Sequence, residues 1–331
     1  MNTHKINILP DLHPLVNWSK GENYVVNGCL RIIMERVKPS FPIETDYEFF
    51  SAITGDAAVQ TYARGFKGAF NGNDLSLSSL WDGKEFCDYL FNEIGYEYSY
   101  ITNEQIEANK LMYVDMLKSY IDKGIPVMQR WVKDKPNKGS CYTLIVGYED
   151  NGETLLFLDG DNPEPEKWSF GGNKKFDWIF IGEKERNVDK TELYTNALKR
   201  TVEMMTTPDR FGASYGTKAF RDWADDIESG YYANGGKYAT YVCLLSTNAS
   251  HHNSYYIHEK MPEFDFLKPI GERYGKRLAE LWGELEELGG GFNITNEVMQ
   301  DIEKRKKIAD AVRECANQTD EILRLLKENL N

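Results

Sequence analysis

Cysteine is scarce in this sequence, with 5 among 331 residues. The five have irregular spacing and include no C-x-x-C pair, at positions 29, 87, 141, 243 and 315. This pattern excludes a disulfide framework and a cysteine-based zinc site. We therefore expect a protein whose thiols stay reduced.

Long apolar runs are also missing. No stretch approaches the roughly 20 apolar residues that a membrane-spanning helix needs. The first residues, "MNTHKINILPDLHPLV", contain no apolar core of a secretory signal peptide. The sequence therefore predicts a cytoplasmic protein without a membrane partner.

Basic residues are fewer than acidic ones. The sequence has 39 lysines and arginines and 52 aspartates and glutamates, which gives a net charge of −13. An acidic chain is a poor ligand for nucleic acid, so we expect no nucleic-acid partner. His252 and His258 are six residues apart, with no cysteine or carboxylate at metal-ligand spacing. We therefore predict no metal and no cofactor.

The order of the patterns predicts an α+β fold in two domains. Hydrophobic residues make up 41% of the chain, which is enough for a full core. Helical periodicities come first and antiparallel strands follow over residues 1–185, whereas residues 186–331 have helical periodicity throughout. The last stretch, 298–330, predicts a long helix packed on its neighbours, with a coiled coil as the alternative.

A β-hairpin is the clearest local signal in the first half. "CYTLIVG" (141–147) and "TLLFLD" (154–159) are apolar, β-branched runs on either side of Asn151-Gly152. This dipeptide favours a type I′ turn, because both central residues of such a turn need positive φ, which asparagine and glycine tolerate. The hairpin would place Cys141 at the start of its first strand and Asp159 at the end of its second.

Cys29 follows Asn27 and Gly28, either of which is a suitable cap for the amphipathic helix in "NGCLRIIMERV". A thiol in the first turn of a helix faces free backbone N–H groups and the positive end of the helix dipole, which favour the thiolate. Asn23, six residues upstream, offers a side-chain amide for a developing oxyanion. The structural alternative is that Cys29 is simply a buried core residue, as cysteines often are.

An amide, a cysteine that opens a helix, and a strand pair that ends in a carboxylate together resemble the papain-like cysteine hydrolases. The pattern is similar to the peptidase C39-like group and to butirosin-biosynthesis protein H. In that group a histidine opens a strand like "CYTLIVG", and an aspartate ends a partner strand like "LLFLDGDNP". The segments "GTKAFRDWA" (216–224) and "RLAELW" (277–282) resemble the helical part that follows in the butirosin-type proteins.

The resemblance implies that Cys29 is the nucleophile, Asn23 the oxyanion-hole amide and Asp159 the orienting carboxylate. It implies a papain-like first domain and thiol-dependent attack on an amide or thioester, by peptide cleavage or acyl transfer. The partner that it implies is therefore a small molecule, a peptide or an acyl group. Cys141 occupies the position of the general-base histidine, and a thiol cannot relay a proton at neutral pH as an imidazole does. The sequence therefore leaves open whether the site is competent or degenerate.

Two further interpretations follow from the missing base. His251 or His252 would supply the imidazole if the second domain reached the Cys29 site. The ordinary role for His252 and His258 is a solvated loop or a helix end. The competing class is a non-catalytic protein that binds a small molecule or peptide in the retained cleft.

Overall fold

The computed structural model describes most of the chain. The described residues are 6–20, 22, 24–37, 46–56, 60–62, 64, 82–132, 141–170, 174–209, 213–234, 262–269, 287 and 295–330. The chain forms two compact units, and each is assembled from two separate segments. The first unit comprises Met1–Phe50 and Asn73–Leu193, and the second comprises Ser51–Gly72 and Tyr194–Asn331.

The first unit is built around a seven-stranded sheet in which every described pairing is antiparallel. Its strands are β1 (Asn7–Ile8), β3 (Tyr96–Ile101), β4 (Val127–Val132), β5 (Cys141–Glu149), β6 (Thr154–Leu158), β7 (Glu166–Ser169) and β8 (Lys175–Lys184). They are ordered β3-β8-β4-β5-β6-β7, and β1 pairs with β5. The predicted combination of helices with an antiparallel sheet is confirmed.

Helices accompany this sheet along the chain. They are α1 (Val25–Val37), α2 (Tyr47–Thr54), which continues into the second unit, α3 (Gly83–Ile94), α4 (Asn103–Ala108) and α5 (Lys110–Asp122). The α4 helix begins with a capping box, a pattern that Thr102 and Gln105 indicate in the sequence, in which each side chain accepts from the other residue's backbone N–H group. Gly95 ends α3 in the left-handed region at φ 75°, a conformation that glycine adopts without steric cost.

The predicted hairpin is present, but its turn is longer than predicted. Glu149 pairs with Thr154, which leaves residues 150–153 in the loop. Asn151 and Gly152 both have positive φ, as the sequence predicts, at 58° and 97°. Asp150 also enters the left-handed region, at φ 49°. The prediction of a two-residue type I′ turn is therefore wrong. The loop instead contains three consecutive residues with positive φ.

The second unit is mainly helical among its described residues. Its helices are α6 (Lys190–Met205), which begins in the first unit, α7 (Gly216–Ser229), α8 (Asn296–Gln300) and α9 (Ile302–Asn329). The α9 helix packs along α7, which supports the predicted intrachain packing of the last stretch. Asp301 separates α8 from α9, and its side chain caps α9 by accepting from the N–H groups of Glu303 and Lys304.

Two predictions about the second half of the chain differ from the structure. A short antiparallel pair, β2 (Thr61–Tyr62) with β9 (Ser214–Tyr215), means that this unit is not entirely helical. The segment Ser51–Gly72, which contains β2, groups with the second unit. The units therefore change over at 50/51, 72/73 and 193/194, whereas the sequence predicts one boundary after residue 185. Within the described ranges, no helix combines the length and apolarity needed to span a bilayer.

Candidate functional site

Cys29 lies one turn inside α1, because the helix begins at Val25. Asn27 and Gly28 are buried helical residues and do not cap the helix. The thiol is therefore not in the first turn, and the predicted capping arrangement is wrong. The sequence places the helix start too late, since "YVV" before Asn27 has no polar signal of a helix terminus.

The segment before α1 connects this helix to the end of β6. The N–H groups of Leu15 and Val16 both donate to the Gly160 carbonyl, at 3.1 and 3.3 Å. The same segment lies directly over Gly28, where an added Cβ would be 1.7 Å from the Leu15 carbonyl oxygen. The segment at Leu15 thus contacts both the helical turn that contains Cys29 and the chain that follows β6. This contact brings Cys29 close to Asp159.

The environment of Cys29 favours the neutral thiol. The residue is completely buried. Burial raises the pKa of the Cys29 thiol well above its ordinary value, and the negative charge of Asp159 raises it further. The thiol's own backbone N–H and Arg31 act in the opposite direction but more weakly. The predicted stabilisation of a thiolate at neutral pH is therefore wrong.

Asp159 follows the last residue of β6 and is exposed as a whole residue. The atoms around its carboxyl group still desolvate it partly, which raises its pKa, and the charge of Glu166 adds to this effect. Lys174 lowers the pKa of the same carboxyl group. Sequence reasoning missed both Glu166 and Lys174, because each is distant in the chain and neither belongs to a motif.

Cys141 is the first residue of β5 and is half-buried. Its neighbour in β4 is Trp131. Leu144 of β5 pairs with Leu158 of β6, so the start of β5 and the end of β6 lie at the same end of the sheet. The structure therefore brings Cys141 and Asp159 to one sheet end and brings Asp159 near Cys29.

Several predicted site residues lie outside the described residues. They are Asn23, the proposed oxyanion amide, and the candidate bases His251 and His252, together with His258. His13 is described, and its Nε2 lies 2.9 Å from Oε2 of Glu35. This hydrogen bond is the main reason why the pKa of His13 is raised.

A cavity of about 590 Å³ opens beside the start of α1. Its lining is rich in charge and is formed by His13, Pro14, Val16, Asn17, Ser19, Lys20, Glu22, Arg31 and Asp161. Arg31 donates to the carbonyls of Pro14 and Leu15, at 2.9 and 3.1 Å, and lies 3.6 Å from Glu22. Cys29 is not part of the lining, so this cavity does not expose the thiol.

No protein-family model matches this chain, and comparison with curated proteins gives no match. The family of the chain is therefore not shown by comparison, and function has to be argued from the site itself. Across the described part of the chain, no group of three or more His, Cys, Asp and Glu residues is placed to hold a metal ion.

We expect Cys141 to react with iodoacetamide at pH 7 before Cys29, Cys87 and Cys315. Cys141 is half-buried, whereas the other three are buried, and burial raises the pKa of Cys29 and of Cys87. Only the thiolate reacts at an appreciable rate, and the reagent must reach it. Mass-spectrometric mapping of native protein over time measures this order. Cys29 labelling at or above the rate of Cys141 would show that the thiol is accessible and activated after all.

Proposed function

We propose that this protein is a non-catalytic member of the papain-like, C39-like and butirosin H-like group, and that it binds a small polar molecule or a peptide in the charged cavity beside the start of α1. The order of its elements supports this proposal. A helix carries Cys29, β5 begins at Cys141 and β6 ends just before Asp159. The same proposal includes the two domains. The first is papain-like, and the second corresponds to the helical part that follows in the butirosin-type proteins.

The observation that carries the proposal is the complete burial of Cys29. A cysteine nucleophile must reach its substrate as a thiolate, usually with a base within hydrogen-bond distance. Here the thiol is sealed from solvent, and both its burial and the Asp159 charge raise its pKa. A buried neutral thiol packs as a small apolar residue, so Cys29 fills the position of the family nucleophile without supplying a reactive thiolate.

The charged cavity supports the choice of a polar ligand. Lys20 and Arg31 provide positive charge, and Glu22 and Asp161 provide negative charge. Burial raises the pKa of Glu22, although the Asn17 N–H donates to its carboxylate at 2.7 Å. Opposite charges around one opening match a zwitterion, because each ligand charge then finds an opposite partner. A short peptide with free termini has this character.

Binding of the dipeptide Gly-Gly tests the proposal, with N-acetylglycinamide as its uncharged control. We expect isothermal titration calorimetry to detect Gly-Gly and to give weaker binding for the control. Lys20→Met and Asp161→Asn should each weaken Gly-Gly binding up to about fivefold, the range of one exposed charge interaction. Both residues are exposed, so neither variant should disturb folding. Equal affinity for the two ligands, or unchanged affinity in both variants, would contradict this use of the cavity.

The second candidate is a thiol-dependent amidase, peptidase or acyltransferase. The specific observation in its favour is that Asp159 lies near Cys29 and at the same end of the sheet as Cys141. An imidazole at position 141 would thus have a carboxylate nearby to orient it. The acidic net charge of −13 disfavours an acidic carrier protein as acyl donor, which weakens the acyl-transfer version.

Turnover of a chromogenic thioester separates the two candidates. We expect no Cys29-dependent turnover by the wild type or by Cys141→His, because the Cys29 thiol stays buried and neutral in both. A degenerate hydrolase would instead gain about 100-fold or more in Cys141→His, the scale of a positioned general base. That gain would have to disappear in Cys141→His/Cys29→Ala. Such a pattern, or wild-type turnover that requires Cys29, would replace the binding proposal with the catalytic one.

A further inference from the structure

His13 lines the charged cavity, and both nitrogens of its ring face oxygen acceptors. Its Nε2 lies 2.9 Å from Oε2 of Glu35, and its Nδ1 lies 3.2 Å from the carbonyl oxygen of Pro14. A neutral imidazole has one N–H donor and one bare nitrogen, whereas a protonated imidazole donates from both nitrogens. Only the protonated ring can therefore donate to both acceptors at once.

Neither acceptor can reverse its role to suit a neutral ring. The Pro14 carbonyl only accepts, and it already accepts from Nη2 of Arg31 at 2.9 Å. The Glu35 carboxylate is also acceptor-only while it is ionised. When His13 loses its proton, one of its two hydrogen bonds is lost and a bare nitrogen faces an oxygen.

The charged groups packed against His13 come from α1. The hydrogen bond with Glu35 raises the pKa of His13 most, burial lowers it, and the Pro14 carbonyl and the Glu35 charge raise it again. Arg31 lowers it slightly, and Arg36 donates to backbone carbonyls upstream of His13 rather than to its ring. The net direction is upward, so His13 keeps its proton to a higher pH than an ordinary histidine does.

The backbone that carries His13 is held by bonds that do not depend on the charge of the ring. Arg31 donates to the carbonyls of Pro14 and Leu15, and the Leu15 N–H donates to Gly160. An arginine stays charged at every pH of interest, and backbone groups do not titrate. We therefore expect loss of the His13 proton to change the charge of the cavity wall more than its shape.

The charge of His13 decides the balance of the cavity lining. Without it, two positive side chains, Lys20 and Arg31, accompany two negative ones, Glu22 and Asp161. A protonated His13 gives the lining an excess of one positive charge. Its carboxylate partner on α1 is not among the lining residues, so the ring is the member of that pair which a ligand meets.

We propose that His13 makes ligand binding in the charged cavity sensitive to pH, because its imidazolium attracts the carboxylate of the ligand and this attraction is lost with the proton. This inference rests on the proposed function, which supplies the zwitterionic ligand. Binding is strongest below the pKa of His13 and weakens as the pH rises through it. The effect is modest, since the His13 side chain is 40% exposed and water screens its charge.

Histidine-selective NMR tests the protonation of His13 without any ligand. The ring signal that disappears in His13→Gln identifies this residue among the five histidines. We expect its pKa to lie above the ordinary value of about 6.5 and to fall in Glu35→Gln, which removes the negative partner. Glu85→Gln is the matched control, because it makes the same change in net charge at an exposed residue that does not act on His13.

Calorimetry with Gly-Gly tests the consequence for the cavity, in the wild type and in His13→Gln, at pH values below and above the measured pKa of His13. We expect the wild type to bind up to about fivefold more tightly at the lower pH, the range of one exposed charge interaction. The difference should disappear at the higher pH. Glu22 and the ligand amine titrate in both proteins, so the ratio of the two affinities isolates His13.

Circular dichroism confirms that each variant is folded. Absence of Gly-Gly binding at every pH would overturn the proposed function, whereas a raised His13 pKa in the same protein would still support the pH-dependent charge. A His13 pKa at or below 6.5, or equal responses to Glu35→Gln and Glu85→Gln, would overturn the inference even where Gly-Gly binds. An affinity ratio that stays constant with pH would overturn it equally.

Discussion

Gly28→Ala is expected to lower the free energy of unfolding by about 3 kcal/mol or more, the upper range for overpacking of a close-packed interior. An alanine Cβ at this position would lie 1.7 Å from the carbonyl oxygen of Leu15 and 2.9 Å from its Cα. The clash is with backbone, so no side-chain rotation relieves it. Displacing Leu15 would also disturb the hydrogen bond from its N–H to Gly160. Urea unfolding monitored by circular dichroism measures the change.

Gly124→Ala is the matched control for Gly28→Ala. Gly124 has φ +84°, and a Cβ added there meets no atom within 4 Å among the described residues. Its replacement should cost only the strain of a left-handed alanine, about 1–2 kcal/mol. If Gly28→Ala were no more destabilising than Gly124→Ala, the close contact between α1 and the Leu15 segment would be wrong. The proximity of Cys29 to Asp159 would then lose its structural basis.

Asp177→Ala is expected to destabilise the first unit by about 3–5 kcal/mol, the cost of removing one partner from a buried charged network. The carboxylate is buried and accepts from the Asn103 N–H at 2.9 Å and from the Tyr100 hydroxyl at 2.5 Å. It also lies 3.7 Å from the largely buried guanidinium of Arg130. The substitution leaves buried donors without their acceptor and removes negative charge beside a buried cation.

Tyr100→Phe provides the scale for this effect. It deletes a hydroxyl that donates to Asp177 and accepts from Arg130 at 3.4 Å, while Asp177 keeps its bond from Asn103 and its proximity to Arg130. About 1–2 kcal/mol should therefore be lost. Urea unfolding of both variants in the same buffer gives the comparison. A cost for Asp177→Ala that is no larger than that for Tyr100→Phe would show that the carboxylate is not the centre of this network.

Local signals predicted local structure well. The capping box at Thr102 and Gln105 forms because its two side chains satisfy backbone groups only three residues away. The left-handed pair Asn151-Gly152 adopts positive φ because the preference is intrinsic to those residues. The sequence underestimated the loop length, since register depends on how the two strands pair and pack.

The candidate site was predictable in its order but not in its chemistry. Spacing indicated a helix bearing Cys29, a strand opening at Cys141 and a strand ending at Asp159, and these elements are present. The state of the Cys29 thiol depends on which atoms cover it. Leu15 crosses the helix at Gly28, and no periodicity in the sequence encodes that crossing.

By itself, the sequence determined the combination of helices with antiparallel strands and the charge of −13, because these depend on composition and on contacts between near neighbours. Only the tertiary structure decided that residues 51–72 join the second unit, that Cys29 is sealed from solvent, and that Asp159 comes close to it. Each of these features joins segments far apart in the chain. Burial and pKa depend on such distant neighbours, so they arise only when the chain has folded.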